Sequence, residues 1–236
     1  MPWLAIPSPH SRRLPINNIY RTHMNEELER YMRQLSSPED PLLTELDVES
    51  NLRVVQHKMV SGHIQGKFLE MLTRMISPRR VLEIGTFTGY ATLCFAAGMP
   101  DDGIIDTIEI EDELEGIQSE FFSRSPHGHK IRRHIGSALD VMPGLGESYD
   151  LVFVDGDKRE YPEYFRLLMD GGLVHSGSYI LADNILWYGK VTADVVKNSD
   201  RQTRGILEFN QMVHDDPRVE SVIVPLRDGI NLIRVL

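Results

Sequence analysis

Val81-Leu82-Glu83-Ile84-Gly85-Thr86-Phe87-Thr88-Gly89-Tyr90 is the stretch on which the fold turns. An apolar run enters an acid, two glycines follow at a G-x-x-x-G spacing, and an apolar helical pattern continues through Leu93 and Ala97. That order predicts a buried strand, a tight turn and a helix start. Gly85 lets the backbone approach a ligand with no Cβ in the way. The first N–H groups of the helix lack intrahelical acceptors and suit an anion such as a carboxylate. The spacing is not the G-x-G-x-x-G of dinucleotide binders, and no G-x-x-x-x-G-K-[ST] phosphate cradle occurs.

About 20 residues on, a second predicted strand, 104–110, runs into Glu109-Ile110-Glu111. An acid at the tip of the second strand is placed to accept hydrogen bonds from ribose hydroxyls. A strand, an acid and a glycine turn with a single anionic group to hold fit S-adenosylmethionine (SAM). That molecule carries a carboxylate and an ammonium but no phosphate. The bland account of the same residues is a glycine turn in another α/β protein with an incidental Glu.

At 236 residues the chain suits one domain, or one domain with an appendage, and can bury a sizeable core. The net charge of −10 repels nucleic acid on average, which argues against DNA or RNA as partner without excluding it. A single cysteine, Cys94, rules out an intrachain disulfide and lies in the apolar pattern after the glycine turn, where core is the expectation. No apolar run reaches about 18 residues, so no membrane span is expected. The opening Met-Pro-Trp-Leu-Ala-Ile-Pro is too short and too broken by proline for a signal peptide, which makes a cytoplasmic protein the default.

Residues 1–15 are rich in Pro, Ser and Arg, with Trp3 and Leu4 available to pack on the body or a partner. Helical patterns are predicted over 17–35 (Ile19, Met24, Leu28, Tyr31, Met32, Leu35), over 42–55, and from near Ser61 to Pro78. From Arg79 strands (80–84, 104–109, 131–135, 150–154, 178–182) alternate with helices (89–98, 111–123, 138–142, 158–170, 201–214). Alternation of this kind implies a parallel sheet with helices on both faces. The end differs: apolar runs at 219–225 and 230–235 flank Leu226-Arg227-Asp228-Gly229, a hairpin signal that adds an antiparallel pair at one edge.

Two strands deliver polar clusters. Leu151-Val152-Phe153-Val154 leads into Asp155-Gly156-Asp157-Lys158, and Tyr179-Ile180-Leu181-Ala182 leads into Asp183-Asn184. Neighbouring parallel strands keep their C-terminal ends together, so Asp155, Asp183 and Asn184 should converge on the rim that carries the glycine turn. Three oxygen donors with no Cys or His nearby suit a hard cation: Mg²⁺, Ca²⁺ or Mn²⁺. Singly, each also reads as a helix cap or a turn residue. Lys158 is expected in the first turn of a helix, where it is either a surface lysine, a salt-bridge partner of Asp155, or a base. Trp187 and Tyr188 could wall an aromatic pocket. The run Lys130, Arg132, Arg133 reads as a solvated face, His57 and His63 as surface or capping residues, and Met24, Met32, Met59, Met71 and Met75 as core.

The sequence resembles the class I, cation-dependent SAM O-methyltransferases, a family that includes catechol and caffeoyl-CoA O-methyltransferases and small bacterial relatives. VLEIGTFTGYAT, TIEIE, DLVFVDGDKREY followed by ILADNILWYGKV, and PLRDGINLIRV carry the likeness, which spans about 36–236. It implies a Rossmann-like α/β sandwich with a seven-stranded, mostly parallel sheet and a C-terminal antiparallel hairpin. The methyltransferase domain would cover 61–236, and an N-terminal helical extension 1–60. By position, Asp155, Asp183 and Asn184 match the metal ligands, and Lys158 the base that takes the substrate proton. Glu109 matches the ribose binder, Glu83 and Gly85 the SAM floor, and Ser61 a contact to the methionine end. Ala138, after Gly136, matches the adenine border, and Asp155 also faces the cofactor. Ala91 stands where the family often has a serine that helps hold the SAM carboxylate; backbone N–H groups would have to suffice. Gly156 replaces a usual alanine, and Asp157 stands where some relatives carry an adenine-side aromatic.

The expected reaction has adjacent acceptor oxygens, as in a catechol, chelated by the cation, with Lys158 taking the proton and the oxygen attacking the SAM methyl in line. Dimers are common among relatives, and the apolar helices over 17–56 are plausible interface elements. Three rivals stay open from sequence: methylation of a hydroxyuridine in tRNA, a non-catalytic SAM-binding protein, and a dinucleotide-dependent oxidoreductase, which the G-x-x-x-G spacing disfavours.

Overall fold

The computed structural model of the chain describes residues 26–55 and 59–236. Trp3, Leu4, Ile19, Met24 and His57 lie outside the described residues. Eight α-helices and seven strands follow, among the described residues, in the order α1 (Glu26–Leu35), α2 (Pro41–Arg53), α3 (Gly62–Ile76), β1 (Arg80–Ile84), α4 (Tyr90–Gly98), β2 (Ile104–Glu109), α5 (Glu115–Arg124), β3 (Ile131–Ile135), α6 (Ala138–Val141), β4 (Tyr149–Val154), α7 (Tyr161–Asp170), β5 (Val174–Asp183), α8 (Arg201–Asp215), β6 (Val219–Val224) and β7 (Ile230–Val235). The seven strands form one sheet in the order β3-β2-β1-β4-β5-β7-β6. The pairs among β1 to β5 are parallel, and β7 runs antiparallel to both β5 and β6. The predicted hairpin therefore does close one edge.

Each face of the sheet buries its own apolar layer. Val81, Leu151 and Phe153 pack with α2, α3, α4 and α5. Leu82, Ile84, Val152 and Val154 point the other way, toward α7 and α8. Strands covered on both faces read as continuous apolar runs, and this is why they were legible. Leu46 of α2 is fully buried in the first layer, so this helix of the expected N-terminal extension is built into the domain's core.

Local chemistry sets the element ends. Asp40 accepts from the Leu42 N–H at 2.8 Å, and Pro41 occupies the first turn of α2. Helix α7 begins at Tyr161, not at residue 158 as predicted. Asp157 explains the delay: its Oδ1 accepts from the Arg159 N–H at 2.9 Å, a turn that competes with helix, and Pro162 then fixes the start. Lys158 thus sits in the turn before α7 rather than in its first turn.

Three burial expectations are corrected. Met71 and Met75 are exposed, because α3 turns His63, Gln65, Gly66, Leu69 and Thr73 inward and leaves these methionines on the opposite face; Met59, in the segment before α3, is exposed as well. Lys130 is not on a solvated face: it is buried, and its Nζ donates to the carbonyls of Ala96 and Met99 at 3.0 Å each. Those carbonyls lie at the C-terminal end of α4, where free acceptors and the helix dipole both favour a cation. His63 is also buried, with Nε2 2.8 Å from the Ser37 carbonyl. Cys94 is buried in the core as expected.

Candidate active site

Register aligns the candidate residues. Ile108 pairs with Ile84, Ile84 with Val154, and Val154 with Ala182. The next residue on each strand is Glu109, Gly85, Asp155 and Asp183. These four form one transverse row across β2, β1, β4 and β5, at strand tips about 4.8 Å apart. The row straddles the point between β1 and β4 where the strand order reverses, the usual ligand crevice of an open α/β sheet. A cleft of about 1950 Å³ opens above it. That exceeds the ~300–1,000 Å³ of an ordinary small-molecule pocket and leaves room for a cofactor beside an acceptor.

Of the expected SAM contacts, Ser61, Gly85, Glu109, Ala138 and Asp155 line this cleft, together with Gly136 and Asp157. Gly85 has φ +97°, and a Cβ there would lie 2.5 Å from the Asp155 carbonyl oxygen. Glu109 Oε2 accepts from the Phe87 N–H at 2.6 Å, and Oε1 from the N–H groups of Ile110 and Glu111 at 2.9 and 3.0 Å. Burial raises its pKa while these donors pull the other way. Ala91 is buried in α4 and lies in the apolar layer. The side chain of Glu83 is wholly buried under the floor, where Oε2 accepts from Thr107 Oγ1 at 2.6 Å and from Thr92 Oγ1. Asp157 is taken by Arg159, whose Nε lies 2.9 Å from both carboxylate oxygens.

Burial pushes the Glu83 carboxyl up to about 8. A raised acid binds its proton more tightly in the fold than in the unfolded chain. Its contribution is full below the unfolded value of 4.5 and is lost as pH rises through about 8. Glu83→Gln cannot ionise and can retain an acceptor for Thr92 and Thr107. The melting temperature of the variant relative to the parent should therefore climb steadily between pH 5 and pH 8 in matched thermal scans. A difference independent of pH over that window would show that Glu83 does not titrate there.

At the other end of the row, Lys158 is buried, and its Nζ donates to Asp155 Oδ1 and to the Tyr161 hydroxyl, each at 2.7 Å. Tyr161 is fully buried, and its hydroxyl lies within 3.0 Å of the carbonyls of Val154 and Asp183. Burial keeps that phenol neutral, its pKa well above the ordinary value. In sequence, only the spacing of three between Lys158 and Tyr161 in DLVFVDGDKREY points to this contact. Asp183 Oδ1 accepts from the Asn184 N–H at 2.7 Å, and Oδ2 from Gln65 Nε2 at 2.6 Å. Burial, and after it the charge of Asp155, raises the Asp183 pKa. Asn184 takes a left-handed conformation at φ 59°, which asparagine tolerates, and lines the same cleft. Trp187 and Tyr188 form another part of the wall.

The profile of a family described as O-methyltransferase matches residues 33–236. The chain belongs to that O-methyltransferase family. Caffeoyl-CoA O-methyltransferase 2 of Petunia hybrida is 38% identical over 186 residues, covering 75% of this chain and 76% of the relative. The caffeoyl-CoA O-methyltransferase of Petroselinum crispum is 37% identical over the same length, covering 75% and 76%. Among solved structures, the S-adenosylhomocysteine-bound Podospora anserina methyltransferase PaMTH1 superposes with a TM-score of 0.82 at 25% identity, over 95% of this chain and 99% of that one. O-methyltransferase TomG of Streptomyces achromogenes, involved in tomaymycin synthesis and solved with SAM, gives 0.80 at 29% identity over 89% and 96%. This protein is a SAM-dependent O-methyltransferase. Among the described residues no helix is long and apolar enough to cross a membrane.

Proposed function

We propose that this O-methyltransferase depends on a divalent cation held by Asp155, Asp183 and Asn184, and that it methylates one of two adjacent hydroxyls on a small catechol-like or vicinal-diol acceptor. The observation that supports this reading most is the register. Asp155 and Asp183 follow directly paired residues on adjacent strands, which brings two carboxylates together at the cleft floor. Only one buried ammonium, that of Lys158, serves them among the described residues, and the charge of Asp155 disfavours ionisation of Asp183. Neighbouring like charges, one of them on the buried Asp183, are relieved by a cation. Among the described residues no group of three or more His, Cys, Asp or Glu side chains is placed to hold a metal ion. The set is thus two carboxylates and one amide, which suits a hard cation that keeps positions for water and acceptor. The curated relatives named above carry caffeoyl-CoA in their names.

A cation bound there would supply Lewis-acid stabilisation to the developing oxyanion, and SAM supplies the methyl group. The chain's own residues do the rest. Asp155 and Tyr161 fix Lys158 Nζ between them. Once it has given up a proton, this amine keeps two N–H donors for those partners and has a lone pair free for a third position. Lys158 uses that lone pair to accept the hydroxyl proton of the acceptor. Trp187 and Tyr188 flank the acceptor, and the strand-tip row sets its distance from the methyl group. Positioning of this kind is worth on the order of 7–11 kcal/mol.

The test is methyl transfer to a panel of catechols and vicinal diols, with and without a chelator, beside bulk tRNA. Chelation should abolish transfer to a catechol, added Mg²⁺ or Mn²⁺ should restore it, and tRNA should accept no methyl. Undiminished transfer in chelator would remove the cation from the reaction. Transfer to tRNA alone would reassign the acceptor.

A further inference from the structure

Gln65, in α3, has no part in the reaction described above, yet it is 1% exposed and touches Asp183. Its Nε2 donates to Asp183 Oδ2 at 2.6 Å, and its Oε1 accepts from Arg227 Nη1 at 3.4 Å. The two partners dictate the amide orientation, because an ionised carboxylate only accepts and a guanidinium only donates. Arg227 sits in the turn between β6 and β7 with φ 50°, and its Nη1 also donates to the carbonyl of Val60 at 2.9 Å and to that of Ser61. The other Asp183 oxygen takes the Asn184 N–H. Each oxygen of this carboxylate is therefore held by one neutral donor from a different part of the chain.

We propose that Gln65, itself held by Arg227, is a positioning residue that fixes the Asp183 carboxylate for cation binding. This rests on the cation reading above. A neutral donor is the chemistry the position calls for. Lysine or arginine at 65 would neutralise Asp183 and repel a cation, and glutamate would set a third carboxylate against the other two. Outer partners of a metal ligand typically change metal affinity by about 10–100-fold when removed.

Methionine has nearly the length of glutamine but no N–H, so Gln65→Met removes the donor with little change of volume. Mn²⁺ binding, read from the electron paramagnetic resonance of free Mn²⁺, and SAM binding by calorimetry are to be measured on the parent, Gln65→Met and Arg227→Lys. Gln65→Met should weaken Mn²⁺ about tenfold or more. Its SAM Kd should stay near the parent's, and turnover at saturating Mn²⁺ should recover. Arg227→Lys, which reaches fewer acceptors, should show a smaller loss in the same direction. A parent that binds Mn²⁺ beside a Gln65→Met that binds it equally well would overturn the inference and leave the cation reading standing. A parallel loss of SAM and Mn²⁺ would also overturn it, by making Gln65 a general packing residue. A parent that binds no Mn²⁺ would sink the cation reading and this inference together. Should Gln65→Met fail to fold, unchanged Mn²⁺ affinity in Arg227→Lys decides against the inference.

Discussion

Lys158→Met is expected to lower the methyl-transfer rate by about 10²–10⁴-fold at saturating SAM, while SAM still binds. The size follows from the loss of a positioned proton acceptor. Nζ lies between Asp155 Oδ1 and the Tyr161 hydroxyl at 2.7 Å from each, on the floor of the cleft. Removing the ammonium also leaves Asp155 and the buried Tyr161 without their shared donor, so the melting temperature should fall too. Lys158→Arg separates the two effects. Its guanidinium preserves a cation beside Asp155 but cannot give up its proton, so stability should be largely kept while the rate stays low. Steady-state kinetics on a catechol, with calorimetric SAM titration and thermal melts on both variants, give the answer. An undiminished rate in either variant would remove Lys158 as the base.

The parts of this site that could be read from sequence are those carried by contiguous residues. Val81 to Ile84, Leu151 to Val154 and Ile180 to Ala182 are buried, so mainly apolar runs mark these strands. Their tips bring Gly85, Asp155 and Asp183 into one row because parallel strands keep their C-terminal ends in register. The hairpin was legible from Asp228-Gly229 between apolar runs. What sequence could not supply was pairing at a distance. Gln65 meets Asp183 across 118 positions, and nothing in the helical pattern of α3 distinguishes an inward glutamine from an outward one. Lys130 looked solvated because it stands beside Arg132 and Arg133. It is buried with its ammonium on the free carbonyls at the end of α4, which lie more than 30 positions earlier in the chain. Met71 and Met75 fit a helical stripe in sequence, but α3 rotates so that Leu69 and Thr73 face inward instead. Asp157 shows a local competition that periodicity does not register: its hydrogen bond to the Arg159 N–H delays α7, and that delay leaves Lys158 in a turn against Asp155.

Gly85→Ala should be the most damaging single methyl added to the cleft. Two costs combine at this position. The backbone has φ +97°, a conformation that costs an L side chain about 1–2 kcal/mol. The new Cβ would lie 2.5 Å from the Asp155 carbonyl oxygen and 2.8 Å from its carbon, and that neighbour is backbone just past the end of β4, which cannot rotate aside as a side chain can. Overpacking of this sort adds about 1–3 kcal/mol, so a total loss of roughly 2–5 kcal/mol is expected. Function should fall further than stability. Relief of the clash must push β1 and β4 apart at their tips, and β4 delivers the carboxylate that pairs with Lys158. SAM affinity and turnover should therefore both drop in protein that is still folded at low temperature. Gly144→Ala is the control: an added Cβ there meets nothing within 4 Å, and its φ is not in the left-handed region. That variant should melt within about 0.5 kcal/mol of the parent and methylate normally. Thermal melts with calorimetric SAM titration on the pair compare them directly. A Gly85→Ala enzyme with the parent's melting temperature and SAM affinity would show that the strand tips yield without cost, and that their close approach does not hold the cleft in shape.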